Sequence, residues 1–271
     1  MAEIVKTDTQ TLLSIALKAA VDAGKAILKI YQQDFEVEFK SDESPLTIAD
    51  TRSNQVIMEY LIKTGIPIIS EENKEISFAL RKTWDSFWLV DPLDGTKEFV
   101  KRNGEFTVNI ALIHQESPVA GVIFVPCTRE LYYGDVQEGK ASKIVLNAHL
   151  DLPENLFEAA TLIQPMLRTK GQIRVVGSRS HMSEETTTYI ENLKKFYDHI
   201  EIVSKGSSLK FCLVAEGIAD IYPRFGPTME WDTAAGQAIC EAVGLKVNSC
   251  DTLKSLTYNK RNLLNSYFIV E

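Results

Sequence analysis

Residues 88–103, WLVDPLDGTKEFVKRN, constrain this chain more than any other stretch. They are entered through Phe87-Trp88-Leu89-Val90, an apolar run that reads as a buried strand. The run ends in Asp91 and Asp94, separated by Pro92 and Leu93 and followed by Gly95 and Thr96. A carboxylate at the end of a buried strand is costly unless something pairs with it. Pro92 and Gly95 predict a tight turn that holds both acids together. The turn contains no Lys or Arg, so a hard divalent cation is the simplest partner. The competing reading is an ordinary strand exit in which Asp94 caps a short helix at 97–100. This stretch alone leaves both readings standing.

Other acids also fall at the predicted ends of elements. Thr9–Tyr31 carries Leu13, Ala16, Leu17, Ala20, Ala23, Ile27 and Ile30 at helical spacing and predicts a structural amphipathic helix. Residues 35–40 alternate as a strand. Thr47 and Asp50 then fit a capping box before a second helix containing Val56, Ile57, Tyr60 and Leu61. A short apolar strand at 67–70 runs into Glu71 and Glu72, which also suit a solvated loop. Strands are expected at 105–114, 118–125 and 130–133, forming an antiparallel meander. Beyond a weakly patterned region at 140–167, strands at 172–176, 200–203, 219–222 and 267–270 alternate with helices at 183–195, 207–216 and 231–243. Asp232 opens the last helix as a candidate cap, before an Ala-Ala-Gly run that lets a strand or a substrate approach closely. Two parts follow from this pattern: 1–150, α+β, with most of the acids, and 151–271, α/β, with a cleft where they meet.

The chain has 271 residues and a net charge of −8. That charge argues against non-specific nucleic-acid binding and a polybasic membrane anchor, and an anionic substrate would need a local positive site. Four widely spaced cysteines without CxxC predict reduced thiols and a cytoplasmic protein. No apolar run reads as a signal peptide or a transmembrane span; peripheral attachment at the inner face of the membrane and homodimer formation stay open. There is no GxxxxGK[ST], HExxH, GxSxG or GxGxxG. If Asp50, Glu71, Glu72, Asp91, Asp94 and Asp232 converge, like charges in contact at an effective dielectric of about 20 repel by about 4 kcal/mol per pair, and convergence implies bound metal.

Glu71-Glu72, Asp91-Pro92-Leu93-Asp94-Gly95-Thr96 and Trp231-Asp232-Thr233-Ala234-Ala235-Gly236, in that order, resemble the inositol monophosphatase superfamily of magnesium-dependent, lithium-sensitive phosphatases. KSDESPLTIAD at 40–50, DGTKEF, KRNGEFTVNIALI and EWDTAAG resemble its CysQ-type branch, the 3′(2′),5′-bisphosphate nucleotidases. The resemblance implies a layered α-β-α-β-α sandwich of the inositol monophosphatase and fructose-1,6-bisphosphatase type. It implies a metal-activated water attack that converts adenosine 3′,5′-bisphosphate to AMP and phosphate, with a role in sulfur assimilation. It places two or three Mg²⁺ on Glu71, Asp91, the Leu93 carbonyl, Asp94 and Asp232. Asp50 and Thr96 would align the water, with Glu72 assisting. The scissile phosphate would rest on the Gly95 and Thr96 amides. His181, Ser207, Lys210 and Arg224 would contact the nucleotide, Lys210 and Arg224 at the phosphate that is not cleaved. The expected partner is therefore a small phosphate ester. An inositol or sugar phosphatase is the nearest alternative, and a non-catalytic nucleotide or metal binder the more distant one.

Overall fold

The structure is a computed structural model that describes residues 8–32, 37–39, 45–73, 76–177 and 182–271. Helix α1 (Thr9–Tyr31) forms where the apolar periodicity predicts it, with the Asp8 carboxylate accepting the Gln10 N–H. The ribbon β1 (Val37–Phe39) and β2 (Pro45–Thr47) leads to α2 (Ile48–Leu61), which lies against α1 and is joined to it by a Tyr60 hydroxyl donating to Asp22. The two helices cover one face of a seven-stranded sheet. Its strands, in spatial order, are β3 (Ile68–Ser70), β4 (Ser86–Asp94), β5 (Thr107–His114), β6 (Ser117–Val125), β7 (Glu130–Asp135), β8 (Lys140–Val145) and β9 (Thr161–Ile163). β3 and β4 are parallel and the remaining pairs antiparallel. Short helices α3 (Phe78–Arg81), α4 (Thr96–Val100) and α5 (Leu156–Ala159) sit in the connections.

Alternation along β4 separates two cores. Trp88 and Val90 pack under α1 and α2 with Ile110, Val122 and Phe124, whereas Phe87 and Leu89 face the opposite layer with Ala111, Ile113 and Ile123. That layer is α7 (Leu209–Ala215) and α8 (Glu230–Ala242). Beyond it lie β10 (Gln172–Gly177), parallel to β11 (His199–Ser204), and the three strands β12 (Tyr222–Arg224), β14 (Phe268–Val270) and β13 (Val247–Ser249). A parallel bridge from Val175 to Ile221 links the two groups. Helix α6 (Glu184–Leu193) covers β10 and β11 through Ile190. The result is the expected five-layer α-β-α-β-α sandwich. The large sheet continues through β9 at 161–163, past the expected boundary at residue 150. Strands β8, β9 and β13 and helices α3 and α5 lay in stretches whose pattern predicts no element. No helix among the described residues is long and apolar enough to cross a membrane.

The Ala-Ala-Gly run of α8 packs against protein. A Cβ on Gly121 of β6 would lie 2.4 Å from the Ala235 carbonyl oxygen, and one on Gly236 would lie 2.3 Å from the Phe211 ring. Glycine thus sets the distance at which α8, and Asp232 with it, rides over the sheet. Gly121→Ala is expected to lower the unfolding free energy by about 1–3 kcal/mol, because an extra carbon in a filled core forces backbone displacement. Urea unfolding measures this, and an unchanged midpoint would contradict the packing.

Candidate active site

The Asp91–Asp94 segment is not the predicted turn. It continues β4, with a bulge: Asp91 stands opposite Asn109, and Asp94 opposite Thr107. Residues spaced by three on a regular strand point to opposite faces. The extra residue of the bulge returns both aspartates to the side that Thr107 and Asn109 share. Pro92 sits within the irregularity, where a missing N–H breaks no regular ladder. Its carbonyl accepts a 2.7 Å hydrogen bond from the buried Ser53 hydroxyl, which ties the bulge to α2. The Asp91 Oδ1 accepts the Leu93 N–H at 3.1 Å, and the Leu93 carbonyl accepts the Thr96 hydroxyl at 3.4 Å. Gly95 then adopts φ 90°, a left-handed conformation that starts α4 and suits glycine best.

Other elements bring the remaining acids to this point. Asp50 is fully buried in the first turn of α2. Glu71 follows β3, its N–H bonded to the Val90 carbonyl at 3.1 Å. Asp232 is not a helix cap in the expected sense. It is the third residue of α8 and its Oδ2 reaches back to the Met229 N–H at 2.8 Å. Burial first, and then the charges of Glu71, Asp94, Asp232 and Asp50, hold the Asp91 carboxyl well above its usual range. Burial, Asp94 and Glu71 push Asp232 up to about 8, while the Met229 amide and the Arg224 guanidinium act in the other direction. Glu71, Asp94, Asp232 and Asp50 therefore stand near enough to act on Asp91. Glu72 neighbours Glu71 on the same turn, its N–H donating to the Ser70 hydroxyl at 3.3 Å, and is not one of the four charges acting on Asp91. Among the described residues no three acidic, histidine or cysteine side chains stand so that they could hold a metal ion together as they are placed.

Asp94 and Asp232 line a cleft of about 430 Å³ together with Glu98 and the cations Lys97, Lys205, Lys210 and Arg224. Gly95 and Ser207 also line it. Lys210 Nζ donates to the Ser207 carbonyl at 3.2 Å and lies 5.9 Å from the Tyr222 ring centroid. Arg224 gives one Nη2 hydrogen bond to the Pro227 carbonyl at 3.2 Å, and its buried Nε has no acceptor among the described residues. His181, expected to contact the nucleotide, lies outside the described residues. Sequence reasoning missed Thr107, Asn109 and Ser208. Thr107 and Asn109 share a strand face with Ala111 and Ile113, and a polar pair in that otherwise apolar phase was the available signal.

Hard oxygen donors, deep burial and mutual repulsion suit a divalent cation such as Mg²⁺, whose charge would relieve the field that raises Asp91 and Asp232. A raised carboxylate is protonated in the folded state at pH values where the unfolded chain has lost its proton. The metal-free protein should accordingly lose stability as pH rises from about 4 towards about 8, the interval between the usual Asp value and that of folded Asp232. Mg²⁺ should stabilise it more at pH 8 than at pH 5. Melting curves in EDTA and in Mg²⁺ across this range test the point; a metal-free melting temperature that climbs over the interval would refute it.

The inositol monophosphatase family model matches residues 8–267. The 3′(2′),5′-bisphosphate nucleotidase CysQ of Salmonella typhimurium is 44% identical over 264 residues, which covers 96% of this chain and 99% of the relative. The protein of the same description from Escherichia coli is 42% identical with the same coverage. A solved CysQ from Bacteroides thetaiotaomicron, described as a bacterial member of the inositol monophosphatase family, superposes with a TM-score of 0.87 at 47% identity and covers 97% of both chains. An inositol monophosphatase from Anabaena shares the fold, with a TM-score of 0.70 at 23% identity over 97% of this chain and 91% of that one. The chain belongs to the inositol monophosphatase family.

Proposed function

We propose that this member of the inositol monophosphatase family is a Mg²⁺-dependent 3′(2′),5′-bisphosphate nucleotidase that hydrolyses the 3′-phosphate of adenosine 3′,5′-bisphosphate to give AMP and phosphate. The observation that carries this reading is that one cleft is lined both by the carboxylates Asp94 and Asp232 and by the cations Lys210 and Arg224. A substrate with a single phosphate needs only the carboxylates and the cation they would hold. A substrate with a second, uncleaved phosphate gives Lys210 and Arg224 a partner, and the curated relatives are bisphosphate nucleotidases by description.

Glu71, Asp91, Asp94, Asp232 and the Leu93 carbonyl would hold the cation. Bound there, Mg²⁺ supplies Lewis-acid polarisation of the phosphoryl group and makes a nearby water more acidic. The Gly95 and Thr96 amides, at the start of α4, offer N–H groups to the scissile phosphate. Asp50, buried beside the carboxylate cluster, and the Thr96 hydroxyl align the attacking water, and Asp50 receives its proton. Arg224 and Lys210 hold the spectator phosphate and fix the ester in line, so that positioning and charge stabilisation supply the rate with no covalent enzyme intermediate.

A charge-assisted hydrogen bond is worth about 1.5–3 kcal/mol. Lys210→Ala is therefore expected to lower kcat/KM for adenosine 3′,5′-bisphosphate roughly ten- to a hundred-fold and to leave 3′-AMP almost unaffected. Phosphate release from adenosine 3′,5′-bisphosphate, 3′-AMP and inositol 1-phosphate measures this. An enzyme that prefers inositol 1-phosphate, or a variant slowed equally on all three, would overturn the nucleotidase assignment in favour of a general phosphatase.

A further inference from the structure

Strand β5 sends two fully buried polar side chains, Thr107 and Asn109, towards the bulge that carries Asp91 and Asp94. They meet the turn that precedes α7. The Thr107 hydroxyl lies 2.7 Å from the Ser207 hydroxyl, 2.8 Å from that of Ser208 and 3.0 Å from Asn109 Oδ1. Ser208 Oγ donates to Asn109 Oδ1 at 2.7 Å. On the other side of the turn, Asp94 Oδ2 accepts the Ser207 hydroxyl at 2.5 Å, the Ser208 N–H at 2.6 Å and, more distantly, the Asn109 amide at 3.5 Å.

Proton accounting orders this network. Each hydroxyl has one proton to donate. Ser207 spends its proton on the Asp94 carboxylate, and Ser208 on the Asn109 oxygen. The Asn109 amide is thereby oriented with its oxygen towards the hydroxyls and its NH₂ towards Asp94. Thr107 fills the centre, with one proton to share among Ser207, Ser208 and Asn109 Oδ1. Ser207 also has φ 54°, a left-handed conformation uncommon outside glycine, so the turn depends on its contacts to keep its shape. A further hold comes from Glu105, whose Oε2 accepts the Gly206 N–H at 2.8 Å.

We propose that Thr107, Asn109 and Ser208 are positioning residues for the metal site. They seat the 206–208 turn so that Oδ2 of Asp94 is saturated by protein donors and Oδ1 is the oxygen that serves the cation. The inference rests on the phosphatase reading above for the cation's place at Asp94, and on no particular ester. Partners behind a metal-ligating carboxylate typically govern affinity by ten- to a hundred-fold.

The test is a calorimetric titration of EDTA-treated, dialysed protein with Mg²⁺ alone, accompanied by melting curves in EDTA. Thr107→Val keeps the shape and removes the hydroxyl; it should weaken Mg²⁺ binding about ten- to a hundred-fold. Thr107→Ser, which restores the hydroxyl, should recover most of the affinity. Ser208→Ala should weaken binding in the same direction and provides a second variant if Thr107→Val does not fold. Variants that bind Mg²⁺ as tightly as the wild type, even with a lowered melting temperature in EDTA, overturn the positioning role alone. Wild-type protein that takes up no Mg²⁺ overturns this inference and the metal reading together. A different preferred ester overturns neither.

Discussion

Asp91 is a carboxylate with almost no access to water and four like charges acting on it. Much of the architecture around it follows from the need to hold that arrangement before any cation neutralises it. A regular strand could not do so, since acids three residues apart would face opposite layers of the sandwich. The bulge in β4 solves the geometry by admitting one extra residue, and proline occupies it where a backbone donor is dispensable. The buried Ser53 hydroxyl then fastens the bulge to α2, the helix that also delivers Asp50. Long-range anchoring and the placement of two acids are consequences of one register shift.

The far side of the site depends on packing in a different layer. Asp232 belongs to α8, which lies on the sheet that carries Asp91 and Asp94. Its distance from that sheet is set by glycine at 121 and by the alanine and glycine face of the helix. Ser207 and Ser208 reach Asp94 from the start of α7, and Phe211 of α7 fills the space left by Gly236. The second half of the chain therefore reaches the cleft beside Asp94 twice, through Asp232 and through the serine turn. The same turn carries the Lys210 contact to the Ser207 carbonyl. The turn that meets Asp94 and the contact that places Lys210 thus belong to one connected piece of backbone.

How much of this was legible follows from where the signals are local. The acids at 91 and 94, α1 and the alternation of the later strands are short-range patterns, and each reappears in the structure. The bulge is not legible, because Pro92 and Gly95 are equally good turn residues and only pairing with β5 distinguishes the outcomes. Asp232 read as a cap because its own sequence neighbourhood supports one; Glu230, two residues earlier, begins the helix instead. Thr107 and Asn109 were hidden for a different reason. In 105–114 the apolar phase is Phe106, Val108, Ile110 and Leu112, and the intervening polar residues look like a solvated face. Ala111 and Ile113 belong to that second phase and are buried, so both faces of β5 are interior and a polar residue on either requires a partner.

Two acids at the head of α8 separate structural from chemical carboxylates. Glu230 is fully buried, yet it accepts the backbone N–H groups of Asn259 and Lys260 at 2.6 and 2.9 Å and the Lys260 ammonium at 2.8 Å. Burial raises its proton affinity, and every other influence on it pulls down. Asp220 shows the same satisfaction more completely, with the Arg174 guanidinium in a two-pronged contact at 2.8 and 3.1 Å that holds its carboxyl below the usual range. Asp232, two residues from Glu230, has one backbone donor and the Arg224 field on one side and two carboxylates on the other. A fold has no stability reason to keep such a group ionised next to its own kind, since an uncompensated buried charge is destabilising. Glu230 and Asp220, completed by protein partners, anchor loops; Asp232, acted on chiefly by burial and by other acids, lines the cleft.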